Sequence, residues 1–385
     1  MHPPLFNLGF RPFFLAAAGF AAVTMLAWLA VFSGRLHIEF EHLSASQWHA
    51  HEMVYGYAVA VIAGFLLTAV RNWTGIDTPR GWLLAALCFL WLAARLLLLS
   101  GTRFLPIAAV FDIAFQLLLL ISVAWPIARV RQYRQIGILS TLTLMLAGNL
   151  AFYIGVEQAS PELIRISLYG GFYLVIALIL TMARRLVPFF THSAIGVELP
   201  NHRIVDLASL LGLLVFFLAE LARPASNVSD VAAAVVFLAN VFRLLRWNHP
   251  QVWRVPMLRS LFVALWCITV GFALVAGAEL LAVPRLIGLQ AMAVGGIGIV
   301  TVGMMGRVAV GHTGRDLSHP PRLYAISIVL LLAATAVRIL LPLAVPAWYV
   351  QCIQLSGALW IGGFSLFTLA YAPILCGPRV DGRYG

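Results

Sequence analysis

Long apolar runs alternate with short polar segments along the chain, and proline and arginine punctuate the breaks. Each run has the ~20 mostly apolar residues that a helix needs to cross a bilayer. The pattern predicts an all-α polytopic membrane protein, a bundle of about twelve transmembrane helices in a single domain, 1–385. The predicted spans are 13–33, 49–70, 82–100, 105–125, 135–156, 165–187, 204–222, 229–246, 258–276, 284–305, 322–341 and 347–371. We find no internal repeat.

Composition narrows the class of protein. Hydrophobic residues make up 62% of the 385 positions and charged residues 10%, whereas a soluble domain carries about 25% charged residues. This excludes a soluble enzyme with one membrane anchor, a disordered chain and a coiled coil. The net charge of +11 would suggest a nucleic-acid partner in a soluble protein. Here the basic residues stand singly between apolar runs, so the predicted partner is the lipid bilayer and not nucleic acid.

The distribution of basic residues predicts the orientation. All 25 are arginines, and cytoplasmic loops carry an excess of positive charge. With the N-terminus inside, eighteen arginines fall in inner segments and six in outer segments, and Arg95 lies within a span. Both termini are therefore predicted to be cytoplasmic.

Polar side chains inside the predicted spans fall at a similar depth, in the outer half of the bundle. Such residues are costly in hydrocarbon unless they are paired or functional. They are His49, His51, Glu52, Arg95, Asp112, Gln116, Asn149, Gln290, Gln351 and Gln354. Their convergence from at least five helices predicts a site, although a buried structural ion pair explains Arg95 and Asp112 equally well.

The second span begins with two histidines in the order Trp48-His49-Ala50-His51-Glu52. Residues two apart point about 200° apart on a regular helix, so both histidines cannot bind one metal ion. His49 and Glu52 share a face, as do His51 and Tyr55. One histidine could bind a haem iron axially. In the other interpretation, both lie beside Trp48 at the membrane interface and only form hydrogen bonds.

A second group of candidates lies at the predicted cytoplasmic end of the tenth span, where His312 and Arg315 are separated by two residues. Arginine and histidine at a helix end suit a propionate, a phosphate or a lipid headgroup. Ordinary cytoplasmic arginine is the alternative. Upstream, a glycine series allows close helix packing or leaves room for a flat cofactor; it comprises Gly295, Gly296, Gly298, Gly303 and Gly306.

Five motifs together resemble the NnrS family along nearly the whole chain. They are Phe10–Phe14, Trp48–Met53, Gly64–Val70 with Asn72–Gly75, Val187–Thr191 and Gly311–Arg315. The resemblance implies a multi-pass protein of the bacterial inner (cytoplasmic) membrane with twelve helices, associated with nitric oxide metabolism and with haem and copper. His49, His51 and Glu52 match one family motif, and His312 and Arg315 match another.

Two family histidines have no counterpart in this chain. The ninth and tenth spans hold Phe262 and Gln290 where the family pattern has histidine. Because copper usually needs several imidazole or thiolate ligands, copper is doubtful here, whereas the resemblance still implies haem b.

The sequence therefore favours a haem-binding membrane protein involved in nitric oxide metabolism or tolerance to nitrosative stress. His49 or His51 would bind the iron in the outer half, Arg95 would neutralise a propionate, and Glu52 would relay a proton. Whether a reaction is catalysed stays open. The alternatives are a cofactor-free membrane transporter and a scaffold that docks a respiratory-chain partner through its arginine-rich face.

Overall fold

The computed structural model describes residues 3–38 and 41–385, and all regular secondary structure within them is helical. Twelve helices there are long and apolar enough to cross a membrane, which confirms the predicted class and the order of the spans. They are α1 Phe10–Phe32, α2 Ala45–Thr74, α3 Trp82–Leu99, α4 Leu105–Arg129, α5 Tyr133–Glu157, α6 Pro161–Ile195, α7 Arg203–Ala222, α8 Asn227–Trp247, α9 Pro256–Ala276, α10 Arg285–His312, α11 Arg322–Ala344 and α12 Pro346–Cys376. The cytoplasmic position of the termini stays a prediction.

Helix α2 has well-defined ends. At its start the Ser44 hydroxyl accepts from the backbone N–H of Gln47, and the Gln47 side chain accepts from the backbone N–H of Ser44. This capping box satisfies two of the N–H groups that the first turn leaves without helical partners. At its other end Gly75 adopts a left-handed conformation, φ 71°, which glycine tolerates without strain.

Two helices contain a wide π-helical segment. In α2 the α-helical turns Ala45–His51 are followed by the π-helical segment Glu52–Ala58, and in α10 the turns Arg285–Gln290 are followed by Ala291–Gly298. These two spans are also the most buried of the twelve described. In their apolar 18-residue stretches, 83% and 78% of the residues are buried inside the protein. π-Helical turns often occur at functional sites. The hydrophobic pattern did not predict either segment or their shared arrangement.

The chain divides into two compact units, and the predicted single domain stays a prediction. The first unit comprises Met1–Leu174, Arg307–Leu317 and Phe364–Gly385. Within it, buried Arg11 at the start of α1 donates to backbone oxygens at and beyond the end of α12; these are Ile374, Leu375, Gly377 and Gly385. A positive charge there complements the partial negative charge of a helix C-terminus.

The second unit comprises Val175–Gly306 and Ser318–Gly363. A Cβ atom added at Gly295 would lie 2.7 Å from both Cys267 Sγ on α9 and Thr335 Cγ2 on α11. The glycine therefore permits close packing of three helices, as predicted. Side chains of Cys267, Ile268 and Trp360 fill the space beside Gly295, Gly296 and Gly298, so no room is left there for a flat cofactor.

Candidate functional site

One buried arginine in the first unit pairs with two buried carboxylates. Arg95 Nη1 on α3 lies 2.6 Å from Glu52 Oε1 on α2, and Arg95 Nη2 pairs with Asp112 Oδ2 on α4. The three residues are 3%, 1% and 0% exposed. The predicted Arg95–Asp112 pair is thus confirmed, and Glu52 shares it. Because removing one partner of a buried pair strands the other charge, the three groups depend on one another.

Two further side chains close the pairs into a ring. His51 Nδ1 lies 3.0 Å from Glu52 Oε1, and His51 Nε2 lies 2.8 Å from Asn149 Oδ1 on α5. The Asn149 amide donates to Asp112 Oδ2 at 3.0 Å. His51, Glu52, Arg95, Asp112 and Asn149 therefore form a continuous polar ring, which we call the buried ionic ring.

Tyr153 supports the ring from outside. It lies one turn after Asn149 on α5, and its hydroxyl donates to Asp112 Oδ2 at 2.9 Å. Asp112 Oδ2 thus receives hydrogen bonds from Asn149 and Tyr153 in addition to the Arg95 ion pair. The sequence analysis missed Tyr153, although its spacing of four from Asn149 placed both on one helix face.

Both imidazole nitrogens of His51 form hydrogen bonds within the buried ionic ring. The Asn149 amide nitrogen faces Asp112, so its oxygen faces His51 Nε2 and that nitrogen carries the hydrogen. Nδ1 is held by Glu52, and the imidazole stacks on Phe152 at a centroid distance of 4.0 Å. An axial iron ligand needs a ring nitrogen with a lone pair directed at the metal. His51 in this arrangement does not fit a haem iron.

His49 faces a different neighbour. Its ring stacks on Trp28 of α1, with centroids 4.8 Å apart and planes 16° apart, in a half-buried position. The two histidines therefore point to different helices, as their spacing predicts. The predicted pair His51 and Tyr55 is close, with ring centroids 5.2 Å apart. Glu52 contacts His51 and Arg95, at the residue where the π-helical segment begins.

Neighbouring helices fix the π-helical segment that follows. The Tyr55 hydroxyl donates to the backbone oxygen of Ser167 on α6 at 2.8 Å. Trp91 Nε1 on α3 donates to the backbone oxygen of Gly56 at 3.0 Å. A Cβ atom at Gly56 would lie 3.1 Å from Arg95 Nη1. Only a very small residue at position 56 lets the arginine reach the ring without displacement.

The other predicted polar residues lie outside the ring. Gln116 is buried one turn after Asp112, and its Nε2 has no hydrogen-bond partner within the described ranges. Gln290 is half-buried in the second unit, immediately before the π-helical segment of α10. Gln351 and Gln354 are exposed. The buried ionic ring is carried by four helices and not by the five or more expected, because the glutamines on α12 face outward.

Side chains that could bind a metal ion do not form large groups in the described residues. In the part of the chain that the structure describes, no group of three or more His, Cys, Asp or Glu side chains could hold a metal ion. The position of Phe262 is buried among apolar residues of α9. The residues present do not fit a copper site of several imidazoles or thiolates.

His312 and Arg315 lie in a different environment, within the first unit. The half-buried ring of His312 is 5.7 Å from that of Phe10, and its backbone oxygen accepts from Arg379 Nη1 at 2.9 Å. Arg315 Nη1 is buried and has no hydrogen-bond partner within the described residues. Arg11 and Arg379 are close enough to interact electrostatically, and so are Arg11 and Arg315. The pair belongs to an arginine-rich group at the helix ends.

Within residues 3–38 and 41–385, twelve helices are long and apolar enough to cross a membrane, and the first unit buries charged side chains among them. These features define a polytopic helical membrane protein with an interior polar site. A family comparison then names the group: the family described as NnrS protein matches residues 4–379. The chain belongs to the NnrS family, which confirms the resemblance seen in its motifs. A comparison with curated proteins finds no match.

Proposed function

We propose that the protein acts in nitric oxide metabolism or in tolerance to nitrosative stress, in the inner membrane of a bacterium. The family match over residues 4–379 supports this role. The association of the family with nitric oxide comes from the resemblance of the motifs, and the excess of arginine on one predicted side agrees with a bacterial inner-membrane topology.

The buried ionic ring is the observation that carries the proposal. Ionisable residues within a membrane-spanning bundle are rare and generally mark functional sites. A buried ion pair is also a poor source of stability, because apolar residues of similar volume often stabilise a fold as well or better. We therefore assign the ring a functional purpose, which is to hold the first turns of α2 rigidly around His49.

Haem b is part of the proposal, with His49 and not His51 as its iron ligand. His51 is excluded by its contacts with Glu52 and Asn149. The Trp28 indole fixes the plane of the His49 imidazole. His49 precedes His51, a member of the buried ionic ring, by two residues. Fixing the plane of a ligating histidine is a recurring way to tune a metal site. When bound, a ferrous haem with an open coordination position would supply the binding of nitric oxide.

Matched glutamine variants test the ligand. The purified protein, supplied with haem, is expected to show a Soret absorbance band that His49→Gln abolishes and His51→Gln retains. Glutamine is a poor iron ligand, but its amide can still donate to Asn149, so His51→Gln preserves much of the ring. The same variants are compared for growth under a nitric oxide donor, in a bacterial host that lacks a family member.

Each outcome is informative. Loss of the band in His51→Gln but not in His49→Gln would reverse the assignment and mean that the ring opens when haem binds. No band in the wild-type protein would remove haem from the proposal. Failure of the wild-type protein to improve growth under nitric oxide would contradict the proposed role itself.

A cofactor-free transporter is the second candidate, and the π-helical segments favour it. π-Helical turns within a membrane-spanning helix often occur at functional sites, and Glu52–Ala58 and Ala291–Gly298 widen α2 and α10 in this way. Absence of haem and metal, with a rise in unfolding temperature on adding a substrate, would favour this candidate. Co-purification of a respiratory-chain complex would instead favour the docking role.

A further inference from the structure

Five arginines of the first unit lie close to one another near helix ends, and two of them, Arg71 and Arg80, contact Tyr384. Tyr384 donates to the backbone oxygen of Asn7, and its ring lies 5.7 Å from the Arg71 guanidinium and 5.8 Å from that of Arg80. Arg71 is close enough to His312 to interact with it electrostatically. Arg11, Arg315 and Arg379 extend the same group. We call these five residues the arginine cluster.

Two aspartates neutralise only part of its charge. Asp77 accepts from Arg71 Nε at 2.8 Å and pairs with Arg80 at 3.2 Å. Asp381 accepts from Arg379 at 2.8 and 2.6 Å. The hydrogen bond from Arg71 lowers the pKa of Asp77, and that from Arg379 lowers the pKa of Asp381, so both are ionised at neutral pH. In the part of the chain that the structure describes, these two aspartates pair with three of the five arginines, Arg71, Arg80 and Arg379.

The uncompensated charge is concentrated at two arginines. Arg11 is fully buried, and its Nη groups bind backbone oxygens, but its Nε has no hydrogen-bond partner within residues 3–38 and 41–385. Arg315 Nη1 is likewise buried without a partner there. The ion pairs of Asp77 and Asp381 are with Arg71, Arg80 and Arg379, and not with Arg315. Buried N–H groups of a guanidinium are costly to leave unmet.

We propose that the arginine cluster binds an anion of phosphate chemistry, with Arg315 as its principal contact. A phosphate offers several acceptor oxygens at fixed angles, which suits N–H groups that come from separate guanidinium forks. The cluster stands at the ends of membrane-spanning helices, where lipid phosphates lie. The anion is therefore either the headgroup of an anionic phospholipid or a free phosphate compound.

The test compares Arg315→Gln with Arg254→Gln. Arg254 is an exposed arginine in the segment before α9, on the same predicted side of the membrane, so its variant removes an equal charge elsewhere. Retention of phosphatidylglycerol and of phosphatidylcholine by the detergent-purified protein is measured by native mass spectrometry. Separately, unfolding temperatures are compared in sodium phosphate and sodium chloride at equal ionic strength.

The wild-type protein and Arg254→Gln are expected to retain phosphatidylglycerol preferentially, and Arg315→Gln to bind it about tenfold more weakly. A phosphate-specific rise in unfolding temperature that only Arg315→Gln loses, without lipid preference, would support the site with a free phosphate compound as ligand. Equal weakening in both variants would reduce the effect to overall charge and overturn the proposal. So would binding of neither phosphatidylglycerol nor phosphate by the wild-type protein.

A conservative variant keeps the test valid if Arg315→Gln does not fold. Arg315→Lys retains the positive charge but loses the planar fork. It is expected to fold and to bind phosphatidylglycerol or phosphate more weakly than the wild-type protein. Binding of phosphatidylglycerol and phosphate by a folded Arg315→Lys with the affinity of the wild-type protein would exclude the guanidinium of Arg315 as the contact.

Discussion

The side chain of Asn149 lies between His51 and Asp112 and determines that Nε2 of the histidine carries a hydrogen. Its oxygen is 2.8 Å from His51 Nε2, and its nitrogen is 3.0 Å from Asp112 Oδ2. Since an ionised carboxylate only accepts hydrogen bonds, the amide has one possible orientation. A single asparagine on α5 thus connects the α2 histidine with the α4 carboxylate.

Asn149→Leu is expected to lower stability markedly. The change leaves His51 Nε2 without its acceptor and removes one donor from Asp112, and an unmet buried polar group costs about 1–3 kcal/mol. The free energy of unfolding in a lipid nanodisc provides the measurement. Thr143→Leu, at an exposed position on the same helix, is the control and is expected to change stability little. Equal effects of the two substitutions would show that Asn149 does not hold the ring together.

Arg95→Met is expected to be more damaging than Arg285→Met. The first change strands Glu52 and Asp112 in an interior where the loss of a partner costs about 3–5 kcal/mol. Arg285 in the second unit also contacts two acidic residues, Glu220 and Asp230, but its side chain is 22% exposed, so water screens those charges. Thermal unfolding of both variants under identical conditions gives the comparison. A smaller loss for Arg95→Met would contradict the importance of burial.

A variant without charges separates stability from function. Glu52→Gln combined with Arg95→Met and Asp112→Asn removes both carboxylates and the arginine together, so none of the three charges is left buried without its partner. We expect the combined variant to unfold at a higher temperature than Arg95→Met alone, yet to lose protection against nitric oxide. Full protection by this variant would make the ring purely structural.

The hydrophobic pattern was sufficient to predict the membrane spans and part of the candidate site. The twelve spans of the described residues follow from length and hydropathy alone, because every helix that crosses the bilayer needs a minimum length of apolar sequence. The predicted membrane depths also grouped five residues that the structure shows in contact. They are His51, Glu52, Arg95, Asp112 and Asn149. Depth is informative here because a charge buried in hydrocarbon is usually paired.

Rotation about the helix axis could not be predicted in the same way. Depth depends on a residue's distance along a helix, whereas contact depends on its direction around the helix. The π-helical segment of α2 changes the direction in which side chains point around the helix from Glu52 onward. The local sequence pattern does not predict this segment. Gln351 and Gln354 have suitable depth but face outward. Tyr153 was overlooked because a tyrosine in an apolar span resembles an ordinary packing residue.

Tyr55 provides the sharpest test of the π-helical segment, because two glycines from different helices contact it. A Cβ atom at Gly148 on α5 would lie 2.6 Å from the Tyr55 hydroxyl oxygen and 3.7 Å from Cζ. A Cβ atom at Gly171 on α6 would lie 2.6 Å from the hydroxyl oxygen and 2.7 Å from Cζ. Either glycine-to-alanine change overpacks the segment, which typically costs about 1–3 kcal/mol.

Removing the hydroxyl relieves only one of the two clashes. Tyr55→Phe leaves the contact at Gly148 an ordinary 3.7 Å but keeps the ring carbon 2.7 Å from the position at Gly171. In a double-mutant cycle, Tyr55→Phe should therefore offset most of the loss caused by Gly148→Ala and little of that caused by Gly171→Ala. Gly137→Ala, with no atom within 4 Å, is the control and should stabilise α5 by up to about 1 kcal/mol. Equal rescue at both glycines would mean that the ring of Tyr55 moves freely, and the segment would then be too mobile to position His49.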